Sequence, residues 1–191
     1  MTAAPATLLD AVTAADALLE SPPAAGTAAE RDAAPRQRFV LLTIAGTDYA
    51  IAEAFVTELE RVPGITPVPR VPHWMRGVTN MRGDILSVID MRRFLGLDGA
   101  APAAARLLVV RLPDEPFAAG LLVDAVDRIV AVAADQITAP ASPLSGPLAP
   151  FLGGVFQIGD RLVTVLDIDR LLRSSEIRQF DEPKEAEESS C

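Results

Sequence analysis

The chain has 191 residues, half of them apolar and 23% charged, which suits one packed domain or two small fused ones and excludes both a large multidomain enzyme and a wholly disordered chain. Its formal charge of −9, from 17 basic and 26 acidic residues, repels phosphate polyanions and anionic lipid surfaces and so argues against nucleic acid as a partner. Residues 1–37 are rich in Ala and Pro and carry five acids against Arg31 and Arg36. Within them Thr7-Leu8-Leu9-Asp10 has the form of a helix start, and Leu8, Val12, Ala15 and Leu19 recur at helical spacing until Ser21-Pro22-Pro23 ends the pattern. A flexible leader with one short amphipathic helix is expected, read either as a partly ordered extension or as a docking helix. From Arg38 the pattern changes to short β-like segments. Phe39 to Ile44 and Tyr49 to Ile51 flank Gly46-Thr47-Asp48 and read as a hairpin. Val56–Val62, Gly77–Met81, Ile85–Ile89, Leu107–Leu112, Phe117–Val123, Val126–Val132, Phe151–Ile158 and Leu162–Leu166 bring the count to ten strands. Helical turns are expected near His73–Met75, at Met91–Leu95 and at Ile168–Leu172. Beyond Arg173 an acidic tail, residues 174–191, reads as a solvating extension.

An internal repeat organises the middle. Gly77–Leu95 and Gly154–Leu172 align without a gap at a constant offset of 77, with six of 19 positions identical and most others keeping their chemical type, as in Ile85/Leu162 and Ser87/Thr164. Leu59-Glu60-Arg61-Val62 matches Val126-Asp127-Arg128-Ile129, and the apolar run 39–44 matches 107–112. The body therefore reads as two copies of a five-strand module, with halves at about 38–96 and 106–172. Five short strands bury a core by closing on themselves, so an all-β fold of two similar small barrels packed together is expected. Asp90 and Asp167 hold equivalent places between a strand and a helical turn, where an Asp side chain caps free helical N–H groups. The repeat departs most at Arg82-Gly83-Asp84 against Gly159-Asp160-Arg161. Shared positions hold a module together and departing ones specialise it, which singles out Arg82 at its tight turn.

Little in the chain suggests reaction chemistry. His73 is the single histidine, Cys191 the single cysteine and Lys184, in the tail, the single lysine, so no His/Cys metal constellation, disulfide, Ser triad or catalytic lysine is expected. The acid pairs Asp124/Asp127 and Asp167/Asp169 offer an acid/base alternative, but each falls at an element end where capping is commoner. No cofactor is expected. No run of 18 apolar residues and no basic n-region with an apolar stretch is present, so a cytoplasmic protein is expected.

At these residues the sequence resembles the CheW family of chemotaxis coupling proteins. The resemblance is carried in order by Tyr49-Ala50-Ile51, Val56-Thr57-Glu58-Leu59, Thr66-Pro67-Val68-Pro69 with Pro72, Gly77-Val78-Thr79-Asn80-Met81-Arg82-Gly83, Asp90-Met91-Arg92, Gly120-Leu121-Leu122-Val123-Asp124 and Leu166-Asp167-Ile168, over roughly Arg38 to Arg173. It implies two SH3-like five-stranded β-barrels with a groove between them. It also implies a non-catalytic adaptor that bridges the cytoplasmic tips of transmembrane chemoreceptors to the regulatory domain of the histidine kinase CheA in arrays at the inner membrane. Carried over by position, it implies a receptor-binding surface at Val56, Glu58, Leu59, Asn80, Arg82 and Gly83. Kinase contact is expected at a barrel end, in the loop holding Thr138, Pro140 and Pro143. Met81 stands where the family usually has Leu, a volume-conserving change. The leader, the Pro-rich stretch 140–150 and the acidic end leave a second reading open, a regulator with one partner in a parallel pathway such as one controlling pili. Trp74, the single Trp, is either a lid on the barrel or an anchor for a partner.

Overall fold

A computed structural model of the chain describes residues 36–97, 99, 101–139 and 149–179; the leader helix, Pro140, Pro143 and most of the acidic tail lie outside them. Ten strands form, as the alternation predicts: β1 (Arg36–Ile44), β2 (Thr47–Ala52), β3 (Val56–Arg61), β4 (Met75–Met81), β5 (Asp84–Asp90), β6 (Arg106–Arg111), β7 (Ala118–Val123), β8 (Ala125–Ala133), β9 (Leu152–Ile158) and β10 (Arg161–Leu166). Three short helices accompany them, α1 (Met91–Phe94), α2 (Ile168–Arg173) and α3 (Ser175–Arg178), with 3-10 turns at Glu53–Phe55, Ala134–Gln136 and Ala149–Phe151. The first hairpin turns at Ala45-Gly46, one residue earlier than the sequence suggests, and Thr47 and Asp48 already pair with Ile44 and Thr43. α3 is absent from the sequence reading, because four residues with one buried apolar side chain, Ile177, give no period to detect.

The strands assemble into two five-stranded sheets, ordered β3-β6-β7-β5-β4 and β8-β1-β2-β10-β9. Each position in the first order is filled in the second by its repeat counterpart: β6 by β1, β3 by β8, and the β4–β5 hairpin by β9–β10. The sheets do not follow the repeat halves. β1 and β2 leave the N-terminal half to pair with β8 and, in parallel, with β10, while β6 and β7 cross the other way to β3 and, in parallel, to β5. Each half therefore lends two strands to the other half's sheet.

Period-2 alternation sorts the side chains into three packed regions. On β1, Phe39 and Leu41 point into one sheet's own cluster with Ala50, Phe156 and Val163. On β6, Leu107 does the same with Val88 and Leu122. The alternate residues, Leu42 and Ile44 on β1 and Leu108 and Val110 on β6, meet in one shared core with Ile89, Leu121, Leu166, Ile168 and Leu172. Asp90 and Asp167 cap α1 and α2 as expected, accepting the backbone N–H of Arg93 at 3.3 Å and of Arg170 at 3.0 Å. Trp74 is half-buried and packs edge-to-face on Phe94 with ring centroids 5.4 Å apart.

The ladders leave a seam between the edge strands of each sheet, and the same device crosses both seams. Gly77 lies where the loop before β4 folds back, with Thr66 and Val78 exchanging backbone hydrogen bonds of 2.8 and 2.9 Å. Gly154 does likewise with Thr138 and Val155 at 2.9 and 2.8 Å. Both glycines have positive φ, +134° and +149°. A Cβ on Gly77 would stand 2.1 Å from the Thr66 carbonyl oxygen, and one on Gly154 would stand 2.8 Å from Ile137 Cγ2.

Candidate functional site

The β4–β5 hairpin turns through two residues, Arg82 at φ +53° and Gly83 at φ +100°. Two positive φ values suit the twist of a tight hairpin, and glycine or asparagine supplies them without strain. An arginine there accepts a left-handed backbone that costs about 1–2 kcal/mol. The aligned position in the second copy is Gly159, at φ +58°. Both copies thus open the turn with a positive φ, one with glycine and one with arginine, and they differ at the next position, where Gly83 keeps a positive φ and Asp160 does not. A strained residue whose sister position is strain-free marks a place where the side chain matters more than the backbone.

The surroundings of Arg82 leave its guanidinium available. Its side chain is 76% exposed and makes one ion pair, Nη1 to Glu58 Oε1 at 3.4 Å, across the seam between β4 and β3. The other carboxylate oxygen of Glu58 is buried and makes no hydrogen bond; among the described residues it is the buried side-chain oxygen or nitrogen without a partner. Asn80 Oδ1 accepts the Gly83 N–H at 3.1 Å and locks the turn. Leu59 is 48% exposed and Ile85, paired across the hairpin with Asn80, is 73% exposed. Val56 is half-buried at the head of β3 and packs against the shared core. The six residues expected from sequence thus come from β3, β4 and the turn that follows, with Glu58 and Arg82 in contact. Thr138 is exposed on the other sheet and bridges to Val155.

The second copy's arginine, two positions further on, has a different fate. Arg161 donates two hydrogen bonds to Asp48, at 2.6 and 2.5 Å, and reaches Asp127 at 3.5 Å. Those bonds hold the Asp48 carboxyl below the usual carboxylate range, against an opposing push from burial. Arg161 is fully engaged inside the chain, whereas Arg82 has most of its five donors free for another molecule.

The acid pairs named as an acid/base alternative are engaged as well. Asp124 accepts from Arg92 Nε and Nη2 at 2.6 and 2.5 Å and from the Ala45 backbone N–H at 2.7 Å. Asp167 caps α2, Asp169 meets Arg173 at 2.9 Å, and Asp127 meets Arg128 at 3.3 Å. Each carboxylate holds structure together.

The profile of the CheW-like domain family matches residues 38–176. The chain belongs to this family. A chemotaxis protein CheW of Klebsiella aerogenes is 30% identical over 146 residues, covering 76% of this chain and 87% of the relative. Protein PilI of Pseudomonas aeruginosa is 32% identical over 135 residues, covering 70% of this chain and 75% of the relative. The solved structure of the scaffolding protein TtCheW from Thermoanaerobacter tengcongensis superposes with a TM-score of 0.67 at 23% identity, over 74% of this chain and 96% of that one, and shares the fold.

Two of the motifs that mark the CheW-like pattern prove to be one device. Asp90-Met91-Arg92 caps α1, buries Met91 and aims Arg92, and Val123-Asp124 receives it. Asp124 in turn grips the β1 side of the β1–β2 hairpin bend at two points, through the Ala45 N–H and through its own N–H to Thr43 O at 3.1 Å. The motifs lie 32 residues apart, and nothing in their spacing announces the contact. In this CheW-like fold they fasten one sheet's hairpin to the helix that follows the other sheet.

Proposed function

We propose that the chain is a non-catalytic adaptor that joins chemoreceptor tips to a CheA-type histidine kinase in chemotaxis-like signal transduction. The reading rests on membership of the CheW-like family, and the observation that carries it at residue level is Arg82. This is an exposed guanidinium on a left-handed backbone, in a position where the sister copy uses glycine. The receptor-binding surface is Val56, Glu58, Leu59, Asn80, Arg82 and Gly83. A receptor helix supplies apolar contact to Leu59 and an acid to Arg82. The kinase meets the opposite sheet's end near Thr138, with Pro140 and Pro143 in the following loop. The protein works in the cytoplasm, recruited to receptor arrays at the inner membrane. Use of the carboxylates as structural clamps supports an adaptor over an enzyme.

The test is kinase activity with receptor alone and with receptor plus this protein, in wild-type form and as Arg82→Glu and Arg82→Gly. Charge reversal is expected to weaken receptor binding at least tenfold with the fold intact. Arg82→Gly is expected to weaken it too while leaving thermal stability equal or higher, because it relieves the left-handed strain. Wild-type binding in both variants would remove Arg82 from the site. Similarity to PilI supports a second reading, a single-partner regulator in a parallel chemosensory pathway; binding to kinase without receptor would select it.

A further inference from the structure

The two sheets treat one arginine position differently. Arg61 on β3 lies directly opposite Arg106 on β6, so both side chains stand on the same face, their Cβ atoms about 5 Å apart. Like charges so placed repel. With Val62, Ala103, Ala104 and Ala105 they line an open cavity of about 430 Å³ whose wall holds no acid. Arg106 turns Nη1 to the carbonyl oxygens of Ala104 and Ala105, at 2.8 and 3.0 Å, and among the described residues neither arginine meets a carboxylate. The repeat aligns Arg106 with Arg38, which in the second sheet lies opposite Ala131 rather than a second arginine and pairs with Glu53 at 2.9 Å.

Two guanidiniums in a concave site without an internal counter-charge fit carboxylates, which they bind through charge-assisted, bidentate hydrogen bonds. We propose that the Arg61–Arg106 site binds an acidic polypeptide segment, and that the segment is the chain's own residues 181–188. Charge supports this occupant: Asp181, Glu182, Glu185, Glu187 and Glu188 face a single base, Lys184. Position supports it as well. Arg178 of α3 bonds Glu115 in the β6–β7 turn and lies 4.6 Å over the Phe117 ring, so the chain leaves α3 at the Arg111 end of β6. β6 is six residues long, about 17 Å from end to end. Glu185 to Glu188 follow Gln179 by six to nine residues, an extended reach of about 20–32 Å. The tail acids therefore span the strand and supply the counter-charge that the second sheet builds in.

The experiment compares backbone amide NMR shifts of the full chain with those of the full chain carrying D181N, E182Q, E185Q, E187Q and E188Q. The amides of Val62 and Ala103 to Arg106 are expected to move on neutralisation and to move the same way when salt is raised to about 0.5 M, where charge pairs are screened. With Arg61→Gln and Arg106→Gln present, neutralising the tail is expected to leave them still; the exposed Arg61→Gln alone serves if the double variant does not fold. A synthetic peptide of residues 181–188 is expected to bind the neutralised chain at least tenfold more tightly than the wild type, whose own tail competes. Amides indifferent to the tail acids would overturn the proposal. So would equal peptide binding by both chains, which would assign the site to a partner's acidic segment instead.

Discussion

Asp124 is a carboxylate that has given up reactivity for grip. Its side chain is 10% exposed and Arg92's is 19%, so the pair sits largely out of water, where removal of one member leaves the other poorly solvated. Arg92→Ala is expected to lower unfolding free energy by about 2–3 kcal/mol in urea titrations, with the Ala45 bond retaining part of the contact. A loss under about 0.5 kcal/mol would mean that the pair behaves as a surface bridge. Asp48 makes a different prediction. Its folded-state carboxyl titrates below the unfolded value near 3.9 because of Arg161. The stability this contributes is therefore fully present above about pH 4 and is lost as pH falls through the lowered folded value. Asp48→Asn is expected to flatten the acid limb of stability against pH below 4 and to leave its slope above pH 5 unchanged. The role proposed for Arg82 was suggested beforehand because the repeat exposes that position as a departure. The Asp124 clamp was not legible, since Asp124, Arg92 and the Thr43–Ala45 bend lie in three segments that no local pattern joins.

At the scale of elements, glycines decide how the seams close. Gly77 needs both a positive φ and the absence of a Cβ, since the Thr66 carbonyl occupies that space. Gly83 needs only the φ, its Cβ position being open. Gly77→Ala is accordingly expected to cost about 3 kcal/mol or more, from strain plus overpacking, and Gly83→Ala about 1–2 kcal/mol from strain alone. Thermal denaturation of the two variants side by side checks the ranking, and equal losses would show that the loop before β4 gives way. The ten strands could be read from sequence because alternation with β-branched residues is a local signal. The caps at Asp90 and Asp167 were readable because capping chemistry sits within one turn of the helix it serves. Which strand lies beside which was beyond reach. β2 alternates in the same way whether it pairs within its own half or in parallel with β10, and only long-range packing chooses between them.

For the molecule as a whole, that choice makes the repeat halves inseparable. Residues 38–96 lack β6 and β7, the middle of the sheet they would form, and residues 106–172 lack β1 and β2. Each half alone would expose the partner face of the shared core. Expressed separately, the two halves are expected to show little β signal by circular dichroism and to regain it on mixing; the full chain is expected to unfold in one transition with coincident probes. A half that folds alone would show that exchange is not needed for stability. The duplication visible in sequence therefore counts modules correctly, while the physical unit of stability is both modules together.

The parallel pairing of Tyr49 with Thr164 has a consequence during synthesis. Ribosomes add about 5–20 residues per second, so roughly 6 to 23 s pass between the appearance of β2 and that of its neighbour β10. The β1 edge of the nascent hairpin waits only for β8 but the β2 edge waits the full interval, and the living cell must keep those edges from other chains until translation delivers their mates.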